Sequence, residues 1–165
     1  MQRKIFAVFL VLIALCFVAA PALAVQVGTT PPDFELKTVT GKDFRLSQLK
    51  GQLILLKLST SWCPTCRQQS VEIQAAGDYL RAHKVVVVEV FLQDSESMVR
   101  DYLQSETFSM SHYEMIDDGR VRQAYDVYLI PRVIFIDRDF KVRRDGSLMT
   151  ASAIKAEVAK IRGKQ

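Results

Sequence analysis

The chain has 165 residues, 49% of them hydrophobic and 24% charged, with 22 basic against 18 acidic side chains and a formal net charge of +4. That length supports one domain with a real core and not two. The charge is too near balance to argue for nucleic acid or an anionic membrane surface as the partner.

In chain order, Arg3 and Lys4 precede an uncharged apolar run from Ile5 to Ala20, which closes on Pro21-Ala22-Leu23-Ala24. A basic start, an apolar middle and a small-x-small end predict a secretory signal peptide over 1–24, cleaved after Ala24. The competing expectation is an uncleaved anchor through residues 5–25, 21 residues without a charge, long enough to span a bilayer. Lipid attachment at Cys16 is disfavoured by the large Leu15 before it. Either way the domain at 25–165 is expected to be exported, periplasmic or otherwise extracytoplasmic. Loss of the leader removes Arg3, Lys4 and Cys16, leaving 20 basic against 18 acidic residues and only Cys63 and Cys66. That is an even pair in a compartment where disulfides persist.

Gly28 to Pro32 is rich in turn residues, and its two prolines keep it extended. Alternation over Asp33–Lys37, a turn at Thr40-Gly41-Lys42 and the segment Phe44–Leu46 predict an N-terminal β-hairpin. After a short turn ending at Gly51, Leu53–Leu58 is apolar almost throughout, as a strand covered on both faces must be. Val71, Ile73, Ala75, Ala76, Tyr79 and Leu80 mark one helix running to Ala82, and Lys84–Phe91 is a second β-branched strand. Strand, helix, strand implies a parallel crossover. Asp94 or Ser95 caps the next helix, with Met98, Val99, Tyr102 and Leu103 on its apolar side. Tyr113–Ile116 is a short strand, Asp118-Gly119 precedes a brief helix, and Ile130–Asp137 is a strand with a proline near its start. Lys141–Arg144 forms an antiparallel partner, and Thr150 or Ser152 caps a last helix with Ile154, Val158 and Ile161 on one face. His83 and His112 stand alone and are expected to face solvent.

The chemistry lies in Trp62-Cys63-Pro64-Thr65-Cys66, at the junction between the first buried strand and the helix. A thiol at a helix start faces unpaired N–H groups and the positive end of the helix dipole, both of which favour thiolate. Cys63 is therefore the expected nucleophile. Pro64 suits the first helical turn, and Cys66, three residues on, is placed to resolve a mixed disulfide. Zinc would need further ligands, and the remaining candidates, Cys16, His83 and His112, include no second closely spaced pair. A purely structural bridge across so short a loop would remove little unfolded-state entropy.

Trp-Cys-x-x-Cys after a buried strand, with Ile-Pro before another strand about 65 residues later, resembles the thioredoxin superfamily. Pro32-Asp33-Phe34, Leu36, Thr40-Gly41-Lys42, Leu46-Ser47, Leu49-Lys50-Gly51 and Trp62 to Arg67 narrow the resemblance to its exported TlpA/ResA/CcmG (DsbE) branch. The resemblance implies an α/β thioredoxin-like fold: a central mixed sheet flanked by helices, with an added N-terminal hairpin. It implies that Pro131 is a cis-proline beside the dithiol, that the backbone at Ile130 pairs with an extended substrate segment, and that no cofactor is needed beyond a Cys63–Cys66 disulfide. The expected partners are proteins carrying disulfides, apocytochrome c among them, and a membrane thiol donor of the DsbD/CcdA type, acting on a monomer.

The departures from that branch bear on mechanism. Gln69 stands where a glutamate is usual, and Lys57 where thioredoxin has a buried aspartate, so the customary proton carrier is missing. Glu72 is a stand-in, or else an exposed helix residue. Lys57 either lowers the pKa of the thiols by its charge or snorkels to water. Arg132, after the proline, contacts substrate or is a plain surface residue.

The expected function is an exported thiol-disulfide oxidoreductase, reducing rather than oxidising its targets, with cytochrome c maturation as the setting. Two alternatives share the fold. A peroxiredoxin-like peroxidase would need Pro-x-x-x-Thr-x-x-Cys, but Leu56 stands where that proline belongs relative to Cys63. A Sco-like copper module would need a longer cysteine spacing and His112 as third ligand.

Overall fold

The apolar run at 53–58 is the middle strand of a five-stranded sheet. The computed structural model describes residues 25–163, so the leader or anchor and Cys16 lie outside the described residues. A hairpin comes first, β1 (Glu35–Lys37) and β2 (Asp43–Arg45), followed by a 3-10 turn at Leu46–Leu49. Then come β3 (Leu53–Ser59), α1 (Pro64–Ala75), α2 (Gly77–Ala82), β4 (Val85–Phe91), α3 (Glu96–Gln104) and β5 (His112–Ile116). The chain closes with α4 (Arg120–Ala124), β6 (Arg132–Ile136), β7 (Val142–Gly146) and α5 (Ala151–Arg162). The sheet order is β5-β4-β3-β6-β7, with β3, β4 and β5 parallel and β6 antiparallel to both β3 and β7. This is the mixed sheet flanked by helices, with a separate N-terminal hairpin, that the sequence predicts.

Side chains alternate across the two faces of each strand, and the two faces bury different partners. Ile54, Leu56, Leu58, Val86, Val88 and Val90 meet Phe34 and the hairpin residues Leu36 and Phe44, together with Val121 of α4 and Tyr125 just after it. Leu53, Leu55, Val85 and Val87 meet Ile73 of α1, Leu80 of α2, and Ile154, Val158 and Ile161 of α5. Continuing along that second face toward the carboxyl ends of β3 and β4, the alternation brings up Lys57, Ser59 and Glu89, all buried. That face of the sheet is therefore apolar at one end and charged at the end where α1 begins.

Three local expectations are corrected. The single helix to Ala82 is broken at Ala76 into α1 and α2. Gly77 sits where an added Cβ would lie 2.5 Å from Ser109 Oγ, so the 109–110 loop packs directly on the backbone at the break. Val71 and Ala75 are exposed, because the inward face of α1 is Cys66, Gln69, Ser70 and Ile73. Polar partners within the fold, rather than apolar residue types, set that face. The strand expected over 130–137 begins at Arg132, and β7 runs on through Asp145 and Gly146.

Candidate active site

β3 delivers the chain to the loop Thr60–Trp62, and α1 starts at Pro64 with Cys63 as its N-cap. The Cys63 sulfur accepts the Cys66 backbone N–H at 3.3 Å and lies 3.4 Å from the Thr65 hydroxyl. It thus takes the capping position usually filled by an oxygen. Both cysteines are free thiols, at 7% exposure for Cys63 and 1% for Cys66. Burial nudges the Cys63 thiol up, but the Cys66 and Thr65 groups aimed at its sulfur outweigh burial and hold it below the ordinary thiol value. Burial and the neighbouring Cys63 sulfur push Cys66 the other way, to about 12, against opposing pulls from Thr60 and from the charge on Lys57. The two thiols are thereby made unequal.

The loop is held by residues that nothing local in the sequence marks. The Ser61 N–H and hydroxyl donate to Asp94 at 2.9 and 2.7 Å, and Arg67 Nε donates to the Ser61 carbonyl at 2.7 Å. Trp62 is 55% exposed beside them.

The Ile130-Pro131 bond is cis. Arg132 of β6 pairs with Leu58 of β3, which places Ile130 and Pro131 at the same end of the sheet as the dithiol. The two residues preceding Ile130, Tyr128 and Leu129, are more than four-fifths exposed. Arg132 is not a plain surface residue. It is half-buried, with its guanidinium donating to both carboxylate oxygens of Asp145, at 2.8 and 2.5 Å, and to the Tyr125 carbonyl.

Gln69 is fully buried, accepting the Met149 N–H at 2.6 Å and donating to the Met149 carbonyl at 3.2 Å, and so ties α1 to the loop before α5. Glu72 is neither a free surface residue nor turned to the sulfurs, because its carboxylate accepts the Ala151 N–H at 2.7 Å in the first turn of α5.

Lys57 does not reach water. It is 1% exposed, and its ammonium donates to Glu89 at 2.6 Å and to Ser70 Oγ at 2.5 Å. Ser70 also bonds the Cys66 carbonyl at 3.4 Å and the Tyr102 hydroxyl at 2.6 Å. Burial alone would raise the Glu89 carboxyl, but Lys57 and His112 outweigh it and hold it well below the carboxylate range.

His112, expected to face solvent, has a side chain only 4% exposed, set between Glu89 and Glu114. His83 is half-buried, with Nδ1 2.8 Å from the Tyr79 carbonyl. No signal within a few residues reveals Glu89 or His112. Only the strand register, Lys57 opposite Glu89 and Glu89 opposite Glu114, brings them to the site. Among the described residues, no group of three or more His, Cys, Asp or Glu side chains is arranged to hold a metal ion, and no helix is long and apolar enough to cross a membrane.

The family model described as AhpC/TSA matches residues 27–145. The thioredoxin-like protein YneN of Bacillus subtilis is 30% identical over 118 residues, 70% of this chain and 68% of that protein. The thiol-disulfide oxidoreductase ResA of the same organism is 27% identical over 120 residues, covering 72% and 66%. Among solved structures, the pneumococcal exposed lipoprotein thioredoxin Etrx1 of Streptococcus pneumoniae superposes with a TM-score of 0.66 at 26% identity, over 78% of this chain and 99% of that one.

Proposed function

This chain belongs to the AhpC/TSA family, and from that membership and the two unequal thiols we infer that it is a thiol-disulfide oxidoreductase acting on proteins through Cys63 and Cys66. The observation that carries the reading is the asymmetry of the pair: one thiol tuned toward thiolate at a helix start, its neighbour buried and held protonated. A nucleophile must be ionised and reachable, whereas a resolving thiol must wait.

In the reducing direction the Cys63 thiolate attacks one sulfur of a substrate disulfide. A Cys63–substrate disulfide forms, and the second substrate sulfur leaves as thiolate. Cys66 then loses its proton and attacks the Cys63 sulfur, closing the Cys63–Cys66 bond and releasing the first substrate sulfur. Two electrons and the Cys66 proton leave the dithiol, and the other substrate thiolate takes its proton from solvent. Thr65 and the Cys66 N–H stabilise the Cys63 thiolate, and Pro64 begins the helix without wasting a donor. Lys57 favours the Cys66 thiolate when it forms. Trp62, Tyr128, Leu129 and the backbone at Ile130-Pro131 offer apolar surface and an extended edge to the substrate chain. Arg132, Gln69 and Glu72 hold that surface and the helix in place.

An exported location, apocytochrome c as a substrate and a membrane thiol donor of the DsbD/CcdA type complete the proposal. Expressing Cys66→Ser in the native compartment tests it. Exported cysteine-bearing proteins joined to Cys63 by a reducible bond are expected, apocytochromes among them, and absence of any covalent partner would overturn the reading.

A further inference from the structure

The charged end of the sheet is a row rather than a pair. Lys57 on β3 meets Glu89 on β4 at 2.6 Å, the other Glu89 oxygen lies 3.5 Å from His112 Nε2 on β5, and His112 Nδ1 lies 2.9 Å from Glu114. Exposure rises along the row, from 1% and 2% for Lys57 and Glu89 to 4% for His112 and 21% for Glu114. Its inner end reaches the dithiol through Ser70, which touches both the Lys57 ammonium and the Cys66 carbonyl. Both His112 nitrogens face carboxylates, so the protonated ring is attracted to Glu89 and Glu114 together. Such attraction is weakly screened where water is excluded.

We propose that Glu89 and His112 are positioning residues for the resolving step, the charge on His112 setting how much of the Glu89 anion is left to neutralise Lys57. When His112 is protonated, Glu89 is shared between two cations, and Lys57 presents more uncompensated positive charge to Cys66. When His112 is neutral, Glu89 is spent on Lys57 and that field weakens. Resolution by Cys66 is therefore assisted below the His112 titration and loses the assistance above it. The inference rests on Cys66 being the resolving thiol.

The surroundings agree with that sign. Facing His112 are Glu89 from β4, Glu114 from its own strand and the Phe108 ring. Facing Glu89 are Lys57, His112 and the Ser59 hydroxyl at 2.8 Å. Facing Lys57 are Glu89 and Ser70, with Tyr102 of α3 behind Ser70 and Arg67 over the Tyr102 ring. Burial pulls His112 down, yet the carboxylates of Glu114 and Glu89 prevail and raise it above the ordinary 6.5. Imidazole is the side chain whose charge ordinarily changes near neutral pH.

Ellman's reagent tests this on the purified full chain. Cys63 attacks the reagent's disulfide, releasing one thionitrobenzoate and leaving the aryl thiol on Cys63. Cys66 then displaces the second thionitrobenzoate, closes the Cys63–Cys66 bond and gives its proton to solvent. Below the pKa of Cys66 an unassisted thiolate gains tenfold in rate per pH unit. In the native chain the second release is expected to follow that slope at high pH and to exceed its extrapolation once His112 is protonated. In His112→Gln the slope should be uniform, with release about fivefold slower at low pH and unchanged at high pH. Glu114→Gln, at the exposed end of the row, should move the break to lower pH, and it serves if His112→Gln does not fold. Profiles that superimpose, or differ from the native one by the same factor at every pH, would overturn the proposal. A missing first release would instead overturn the assignment of Cys63, so the two failures are distinguishable.

Discussion

Lys57 and Glu89 stand opposite one another on adjacent parallel strands, and their charged ends meet 2.6 Å apart with almost no exposure to water. Desolvating two charges is expensive, and their attraction repays it only while both are present. Lys57→Met or Glu89→Leu alone should each destabilise the fold by about 3–5 kcal/mol. The double replacement Lys57→Met/Glu89→Leu should recover most of that loss. Urea unfolding of the four proteins checks it, and single losses that simply add in the double variant would show that the ends do not interact.

The same row gives stability a defined pH dependence. The Glu89 carboxyl is held below its ordinary 4.5 by Lys57 and His112 against burial. Its contribution is therefore complete above about pH 4.5 and is lost as acid carries the solution down through the folded value. His112 has the opposite sign. Its folded value lies above the ordinary 6.5, so its contribution is complete below about pH 6.5 and is lost as the pH rises through the folded value. Urea midpoints across this range should show an acid-side fall that is reduced in Glu89→Gln and an alkaline-side fall that is reduced in His112→Gln.

The fold was legible wherever neighbours in sequence decide the outcome. Leu53–Leu58 and Val85–Val90 are β-branched or apolar at every position but Lys57 and Glu89, and Cys63 followed by Pro64 marks a helix start by its own chemistry. The identity of the buried acid was not legible. Its absence at the expected positions, Lys57 and Gln69, could be read, but the replacement sits on another strand and depends on β3–β4 register. His112 misled for the same reason: a lone histidine reads as exposed until the strand beside it supplies Glu89. The break at Ala76 was equally hidden, since it follows from the 109–110 loop lying on Gly77.

Gln69 satisfies both backbone groups of Met149. Gln69→Leu leaves them buried and unpaired, at a loss of about 1–3 kcal/mol, while the rate of the first thiol's reaction should hardly change. Thermal unfolding paired with the alkylation rate of Cys63 checks this. A large fall in that rate would mean that Gln69 acts on the sulfur itself.

Thr65 places its hydroxyl 3.4 Å from the Cys63 sulfur. Thr65→Val removes that contact and keeps the shape, so the Cys63 thiol should move up toward its ordinary value. Alkylation of Cys63 at neutral pH should slow about two- to threefold, corresponding to a weak hydrogen bond of roughly 0.5 kcal/mol. An unchanged pH profile would leave the Cys66 N–H as the group that matters.

The division of labour between the two thiols is tested most directly by mass spectrometry of Cys66→Ser and Cys63→Ser, each incubated with a disulfide-bonded polypeptide such as insulin. A one-to-one adduct on Cys66→Ser, reversed by reductant and absent from Cys63→Ser, is expected. Comparable adducts on both variants, or none on either, would contradict the assignment of Cys63 as nucleophile and Cys66 as the thiol that releases the product.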